Sequence, residues 1–200
     1  MIEVIFDIET QKLFSDITGD NIADLGVSIV SAYKRNINDE GDEIDGKMDS
    51  FWIDDLSGLW SLFSGVDRII GFNSNSFDVP VLLPLAPYDL KKLPHFDILE
   101  QVKNSLGFRL SLDAIAKETL GHSKTDVGTN AVKYWNEKTT ESLKKLKDYC
   151  EMDVIVTKEV YDFGKKNKHL KYKDKWNTSR TVEIDFSYPI KVDNGQMGLF

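Results

Sequence analysis

The stretch VIFDIET at residues 4–10 combines an alternating apolar pattern with two acidic residues two positions apart. The alternation predicts a β-strand with one apolar face. Side chains two positions apart leave the same face of a strand, so Asp7 and Glu9 should lie side by side. Neighbouring carboxylates repel each other unless a cation lies between them. Val4 and Ile8 favour a central strand over a solvent-facing edge, and the pattern therefore predicts a cation site on a buried strand.

Outward from this strand, the sequence predicts strands first and helices later. We predict strands at residues 2–8, 25–34, 49–53 and 67–72, with an acidic turn at 38–46 and a further strand-like segment at 181–186. Helices are predicted at 54–63, 96–106, 111–120, 130–136 and 141–165, and one more helix begins near residue 77. This order predicts an α/β fold in which a mixed sheet is flanked by helices. Ser111 as N-cap and Gly121 as stop delimit one helix. The length suits one domain, predicted over residues 1–188 and followed by a tail at 189–200.

Composition excludes several classes of protein. Hydrophobic residues make up 41% of the 200 residues and charged residues 29%, as is ordinary for a globular domain. No apolar run approaches the roughly 20 residues of a membrane span, and the N-terminus lacks a signal-peptide pattern, so we expect no membrane association and a cytoplasmic location. Cys150 is the sole cysteine, which excludes an internal disulfide. The net charge of −8 argues against a broad basic surface, but not against carboxylates that meet phosphate through cations.

Two further acids occupy settings that suit a cation site. Tyr149 and Asp153 lie one turn apart on the longest predicted helix, on the face that carries its apolar residues. An unpaired carboxylate buried there would cost roughly several kcal/mol, so Asp153 needs either a cation or an ion pair with Arg68 or Arg109. Asp78 follows a predicted strand and a polar loop and opens a helix, where the helix dipole alone favours an acid. Each position has an ordinary structural explanation when it is taken alone.

Taken together, a strand D-x-E, a loop N-x-x-x-F-D and a helix Y-x-x-x-D occur in that order. The segments VIFDIET, IIGFNSNSFDVPVL and LKDYCEMDVIVT resemble the three exonuclease motifs of the DEDD superfamily, whose fold is ribonuclease-H-like. The spacing of Tyr149 and Asp153 is similar to that of the tyrosine subtype, since the histidine subtype would need histidine where this chain has Asp148. The segment SLDAIAKETLG also resembles exonucleases related to the proofreading domain of family B DNA polymerases. The resemblance covers about residues 1–165.

This resemblance implies a metal-dependent 3′→5′ exonuclease. Its catalytic residues would be Asp7, Glu9, Asp78, Tyr149 and Asp153. The four acids would hold two Mg²⁺ or Mn²⁺ ions, with Asp7 bridging both, Glu9 and Asp153 on the first ion and Asp78 on the second. Tyr149 would orient the attacking water, which metal binding acidifies. The substrate-binding residues would be Thr10, Asn73 and Phe77 around the 3′-terminal nucleotide, and Lys124 on phosphate, with a solvated lysine as the alternative for Lys124.

The motifs leave the substrate class open. The first interpretation is single-stranded or frayed DNA, in repair or replication-linked processing. An exoribonuclease with the same site is the alternative among enzymes. A third hypothesis is a non-catalytic module that binds a clamp or a helicase, and the complete set of four acids with Tyr149 argues against it.

Residues 196–200, QMGLF, resemble the short peptide by which bacterial replication and repair proteins dock on a sliding clamp. The partner-binding residues would be Gln196, Met197, Leu199 and Phe200. An extended segment of this kind places apolar anchors in a preformed pocket. The alternative is an ordinary frayed terminus.

Other residues near these motifs have simpler explanations. Asp97 is predicted to cap a helix, and Cys150 to be a small core residue. The lysine-rich stretch at 165–175 and the acidic stretch at 39–49 are interpreted as a solvated helix end and a solvated loop, with a functional role for either left open.

Overall fold

A five-stranded mixed sheet forms the centre of the protein, which a computed structural model describes for residues 1–121 and 129–188. Its strands, in chain order, are β1 (Ile2–Thr10), β2 (Val27–Ile37), β3 (Glu43–Trp52), β4 (Arg68–Gly71) and β5 (His95–Asp97). Their order across the sheet is β3-β2-β1-β4-β5. β1, β2 and β3 pair antiparallel, whereas β4 runs parallel to β1 and β5 parallel to β4. β1 is therefore the middle strand, hydrogen-bonded on both sides.

Helices cover both faces of this sheet. They are α1 (Ser57–Phe63), α2 (Asp78–Leu82), α3 (Ile98–Leu106), α4 (Leu112–Leu120), α5 (Thr129–Glu137) and α6 (Thr140–Asn167). Short 3-10 helices lie at Phe14–Asp16, Ile22–Leu25, Leu83–Leu85 and Leu90–Lys92. A separate hairpin, β6 (His169–Lys173) and β7 (Ser179–Glu183), packs against α4, α6 and α3. The predicted α/β architecture is confirmed. In the described part of the chain, none of the helices is both long and apolar enough to span a membrane.

The alternation along β1 sends its side chains into two different cores. Phe6 packs with α1, where its ring meets that of Phe63 edge-on at 5.2 Å between centroids. Ile5 points to the opposite face and packs with Val154 and Val160 of α6. The two acids of the D-x-E motif share the parity of Ile5, so they leave β1 on the side of α6. A slip of one residue would turn both carboxylates into the apolar α1 core, which fixes the register of β1.

α6 is capped at both ends. At its start, Thr139 Oγ1 accepts from the Ser142 N–H at 3.0 Å, and Ser142 Oγ accepts from the Thr139 N–H at 3.1 Å. At its end, Lys168 adopts the left-handed conformation and its N–H donates to the Gly164 carbonyl at 2.7 Å. These caps satisfy backbone groups that a helix leaves without partners. The observed helix, Thr140–Asn167, agrees with the helix predicted at 141–165.

A buried charge cluster ties β1 and β2 to α6. Glu3 and Arg35 are both buried and pair at 2.7 Å, and Arg35 also reaches Asp162 of α6 at 2.6 Å. The Tyr161 hydroxyl donates to Glu3 at 3.0 Å. Burial raises the pKa of Glu3, but the Arg35 charge and hydrogen bonds outweigh it and hold that pKa below its usual value. Removal of one of these charged side chains would leave another buried charge without a partner, which is costly. Because the cluster includes residues of β1, β2 and α6, it stabilises the packing of α6 on the sheet.

The sequence pattern predicts a helix from Phe96, whereas the structure has the strand β5 there. β5 pairs in parallel with β4, and α3 begins only at Ile98. Asp97 is the N-cap, its side chain accepting from the Glu100 N–H at 3.2 Å, which confirms its predicted role. Three residues are too few to show a two-residue period, so β5 is defined by its pairing with β4.

The interpretation of 165–175 as a solvated helix end is wrong beyond residue 168. α6 stops there, and the chain turns back as β6. Leu170 and Tyr172 are buried while Lys171 and Lys173 are exposed, which is a strand pattern that the high lysine content conceals. β3 also begins earlier than predicted, at Glu43, because its first residues are polar and exposed. The domain boundary at residue 188 stays a prediction.

Candidate active site

Three carboxylates converge where α6 crosses β1. Ligand oxygens of Asp7, Glu9 and Asp153 all lie within 4.8 Å of one another. Asp153 is buried, and the other two are half-buried. The strand brings Asp7 and Glu9 to one face, and α6 adds Asp153 from a distant part of the sequence. Such an arrangement concentrates negative charge at one point, which a hard divalent cation with oxygen ligands would neutralise.

Asp78 lies beside this cluster and is bound to β1. It opens α2, is 4% exposed, and its Oδ1 accepts from the Ile8 N–H at 3.2 Å. Ile8 stands between the two acids of the D-x-E motif, so this bond places Asp78 next to them. Burial raises the pKa of Asp78 to about 7, with the charges of Asp97 and Asp153 adding to the rise against the backbone N–H donors. A carboxyl group with this pKa titrates near neutral pH.

Tyr149 lies one helical turn before Asp153 and hydrogen-bonds to it. The side chain is half-buried. Burial raises the pKa of Tyr149 far above its usual value, and the charges of Asp153, Glu9 and Asp7 add to this rise. The phenol therefore stays protonated and serves as a hydrogen-bond donor at the edge of the carboxylate cluster.

Cys150 of α6 contacts Asp7 of the carboxylate cluster, and the sequence alone did not predict this contact. Its Sγ lies 3.5 Å from the Asp7 carbonyl oxygen and 3.9 Å from Asp7 Oδ2. The residue is buried, as predicted for a small core residue. Burial raises the pKa of its thiol, and Asp7 and Glu9 raise it further, so it remains a neutral S–H donor. The signal for this contact was the three-residue spacing from Asp153, which puts both on one helix face.

The two arginines considered as ion-pair partners of Asp153 bind other groups. Arg68 donates to the Tyr161 hydroxyl at 2.9 Å and to the Phe186 carbonyl at 2.8 Å. Arg109 donates to Asn73 Oδ1 at 2.7 Å. These hydrogen bonds of the two arginines go to groups other than the carboxylates of the cluster.

A rigid loop leads from β4 to Asp78. Asp97 accepts from the N–H groups of Asn73 at 2.8 Å and Asn75 at 3.0 Å, so the N-cap of α3 also anchors this loop. Asn73 adopts a φ of 68°, a left-handed conformation that asparagine tolerates better than most residues. A Cβ on Gly71 would come within 2.4 Å of the Ser74 side chain, so glycine is required at the end of β4.

Thr10 and Phe77 line a cleft beside Glu9. The cleft has a volume of about 200 Å³, and its lining also includes Leu13 and Phe14. The rings of Phe14 and Phe77 lie 6.0 Å apart, and Phe14 is 63% exposed. A role for Phe14 could not be predicted from the sequence, because a single aromatic residue in a loop belongs to no periodic pattern or motif. Asn73 lies in the loop before Phe77 and is absent from this cleft's lining.

The remaining sequence-derived candidates lie outside the described residues. They are Lys124, Gln196, Met197, Leu199 and Phe200. Their assignments stay predictions.

Comparison with known proteins agrees with the architecture. A family model described as the RNase_H superfamily matches residues 4–163, which include all of the sheet except the first two residues of β1, and most of α6. A search of curated proteins gave no match. The ribonuclease-H-like fold typically uses divalent metals, and the Asp7, Glu9 and Asp153 oxygens form a ligand set of the kind such metals prefer.

Proposed function

This chain belongs to the RNase H superfamily, whose members are usually nucleases, and we propose that it is a metal-dependent 3′→5′ exonuclease on single-stranded or frayed DNA. The observation that supports this most is the convergence of Asp7, Glu9 and Asp153 within 4.8 Å. Tyr149 beside Asp153 adds a donor of the type that the DEDD tyrosine subtype would use. We propose a role in repair or replication-linked processing.

The donor set fits Mg²⁺ or Mn²⁺. Every proposed ligand is a carboxylate oxygen, and hard cations prefer such ligands. The Asp7, Glu9 and Asp153 oxygens lie within 4.8 Å of one another, and Asp78 is bonded to Ile8, which lies between Asp7 and Glu9 in β1. In our proposal Asp7, Glu9 and Asp153 hold one cation, and Asp78 helps to hold a second. When bound, such cations supply an acidified water and neutralise the charge that develops on the phosphate.

The protein side chains then position and protect the reacting groups. Tyr149 remains a phenol, so its hydroxyl orients a water without losing its proton. Cys150 donates toward Asp7 and fills the space behind it, which keeps that carboxylate in one orientation. Burial raises the pKa of Asp78 to about 7, and Asp78 would have to be ionised to hold a cation.

The cleft beside Glu9 suits the terminal nucleotide of a strand. In our proposal the Phe14 and Phe77 rings contact its base or sugar, and the Thr10 backbone reaches its 3′-hydroxyl. The cleft includes Glu9 in its lining, so a nucleotide held there would lie next to the carboxylate cluster. The 3′→5′ polarity is part of the proposal and follows from the resemblance of the motifs.

A single digestion experiment tests the function. 5′-Labelled single-stranded DNA, duplex DNA and RNA are incubated with Mg²⁺, Mn²⁺ or EDTA. We expect a ladder of products that shorten from the 3′ end, with DNA preferred and no products in EDTA. Faster cleavage of RNA would instead support an exoribonuclease, and products in EDTA would contradict the metal site.

Two variants of α6 separate the site from the fold in that assay. Asp153→Asn removes a proposed ligand and should abolish cleavage. Asp148→Asn makes the same chemical change on an exposed position that pairs with Lys144, and should leave cleavage unchanged. Equal activity of both variants would place the catalytic centre elsewhere.

We also propose that the tail binds a bacterial-type sliding clamp through Gln196, Met197, Leu199 and Phe200. Two fully buried apolar anchors would contribute roughly 1.5–3 kcal/mol each, which is partly offset by ordering of the peptide. With the contacts of Gln196 and Met197 added to these two anchors, we expect binding in the micromolar range. Titration of the clamp with the intact chain and with a Leu199→Ala/Phe200→Ala variant tests this. Equal binding by both, or by neither, would contradict the proposal and would leave the nuclease proposal untouched.

A further inference from the structure

A second, larger groove lies between the segment 108–110 and the β6–β7 hairpin. We call it the hairpin groove, and its main lining residues are Phe108, Leu110, Tyr172, Lys173, Lys175 and Trp176. Its volume is about 700 Å³. None of these residues belongs to the carboxylate cluster or to the cleft beside Glu9.

Aromatic side chains are exposed in the hairpin groove. Trp176 is 72% exposed and Phe108 is 48% exposed. Phe108 is held against the buried Tyr172, with ring centroids 6.1 Å apart in an edge-to-face arrangement. Large aromatic rings left in water on a folded surface mark binding sites more often than chance, and flat rings are the usual platforms for unstacked bases.

The charge of the hairpin is opposite to that of the whole chain. Residues 169–183, which form the hairpin, carry four lysine or arginine residues and two acidic residues, whereas the chain has a net charge of −8. Lys175 Nζ lies 4.4 Å from the centre of the Trp176 ring, so a cation and a stacking platform are adjacent. This combination complements an anionic backbone that carries aromatic bases, which is the chemistry of single-stranded nucleic acid.

The tip of the hairpin is preorganised. Asp174 Oδ1 accepts from the N–H groups of Trp176 at 2.9 Å and Thr178 at 3.0 Å, and Asp174 Oδ2 accepts from Arg180 Nε at 2.9 Å. Asn177 takes the left-handed conformation with a φ of 61°. These bonds fix the backbone of the turn that carries Trp176, which lowers the ordering cost of binding a ligand.

The hairpin groove is linked to the loop beside the carboxylate cluster. Phe108 and Leu110 line the groove, and Arg109 between them donates to Asn73 Oδ1 at 2.7 Å. The Asn73 loop leads within five residues to Asp78, which is bonded to β1. The segment that forms one side of the hairpin groove is therefore bonded to the loop that precedes Asp78.

We propose that the hairpin groove binds the part of a single-stranded nucleic acid that lies 5′ of the nucleotide being hydrolysed, an inference that rests on the proposed nuclease function. Trp176 and Phe108 stack on bases, and Lys173 and Lys175 contact phosphates. The groove holds the strand while the carboxylate cluster acts on its end.

Binding is measured by fluorescence anisotropy with labelled single-stranded DNA of about 12 nucleotides, which lies within the usual range of single-strand site sizes. EDTA is present, so that neither hydrolysis nor metal-mediated contact contributes. Trp176→Ala should weaken binding about 5- to 100-fold, as the loss of one stacked base does, and Trp176→Phe should restore most of it. An oligonucleotide without bases should bind the wild type and Trp176→Ala equally.

A matched pair of charge variants tests the phosphate contacts. Lys173→Gln/Lys175→Gln should lower the slope of log affinity against log salt by about 0.7 for each phosphate that the variant no longer neutralises. Lys91→Gln/Lys92→Gln makes the same charge change on a different surface and should leave the slope unchanged, since the 3-10 helix Leu90–Lys92 does not line the groove.

Hydrolysis separates this inference from the proposed function. Trp176→Ala should raise the KM for the long oligonucleotide more than the KM for a dinucleotide, because only the long strand carries the 5′ nucleotides that the groove is proposed to bind. If Trp176→Ala binds the long strand as the wild type does, the groove proposal is wrong while the nuclease proposal stands. If binding depends on Trp176 but no metal supports hydrolysis, the groove stands and the nuclease proposal is wrong. Binding of duplex DNA as tight as that of the single strand would contradict stacking in the groove.

Discussion

Replacement of Asp78 by asparagine should stabilise the metal-free protein at neutral and basic pH. Asp78 is 4% exposed, and burial raises its pKa from 3.8 to about 7. Asparagine keeps an oxygen that can accept from the Ile8 N–H, but it carries no charge to desolvate. The variant therefore removes a cost that the wild type bears whenever Asp78 is ionised.

The size of this effect follows from the pKa change. Between about pH 4 and pH 7 the folded protein retains a proton at Asp78 that the unfolded chain releases, so the stability of the wild type falls as pH rises through this window. A rise of roughly three pKa units corresponds to about 4 kcal/mol above pH 7. Because neighbouring groups relax, we expect Asp78→Asn to gain between about 1 and 4 kcal/mol at about pH 8 and almost nothing at about pH 4.

Urea unfolding in EDTA at these two pH values measures the difference. Asp148→Asn is the control, since an exposed acid should change stability by less than about 0.5 kcal/mol at either pH. Added Mg²⁺ should then stabilise the wild type more than Asp78→Asn, because the cation relieves a charge that only the wild type has. Equal stability of wild type and Asp78→Asn at about pH 8 would refute the argument that the buried carboxylate strains the metal-free fold.

Four further substitutions should each have a distinct effect on activity or stability. Asp7→Asn should abolish hydrolysis and reduce the increase in Tm produced by Mn²⁺, measured by thermal unfolding; an unchanged increase would remove Asp7 from the metal site. Tyr149→Phe should lower kcat by orders of magnitude while leaving the Mn²⁺ affinity nearly unchanged, and an unaltered kcat would reduce Tyr149 to a packing residue. Arg35→Ala should cost about 3–5 kcal/mol in urea unfolding because it leaves Glu3 buried without its main partner. The pKa of Glu3 is lowered, so its contribution to stability is present above about pH 4.5 and is lost at lower pH; Glu3→Gln should remove this acid sensitivity.

Short-range patterns in the sequence were sufficient for much of the fold. The two-residue period of β1 and the apolar face of α6 predicted both elements, because periodicity depends only on the geometry of neighbouring residues. The same reasoning put Asp7 beside Glu9, and Tyr149 and Asp153 on one helix face. The approach of α6 to β1, which unites these two pairs, could be inferred only through the resemblance to a known family.

Long-range contacts required the tertiary structure. The bond from Ile8 to Asp78 joins positions 70 residues apart, and the Cys150 contact to Asp7 joins positions 143 apart. No local pattern encodes such distances. Asp78 in the first turn of a helix has an ordinary explanation in the helix dipole, and only its burial against β1 raises its pKa to about 7.

The conformation of the β6–β7 hairpin also could not be predicted from local sequence patterns. A run of lysines predicts a solvated segment whether the backbone is helical or extended, because the composition of an exposed face carries little information about its conformation. Packing of Leu170 against the helices decided that the segment is a strand. That packing also brought Trp176 and Phe108, which lie 68 residues apart, to the two sides of one groove. The sequence by itself determined the elements and the acid pairs, since these follow from neighbouring residues, whereas the groove and the environment of Asp78 exist only once distant segments meet.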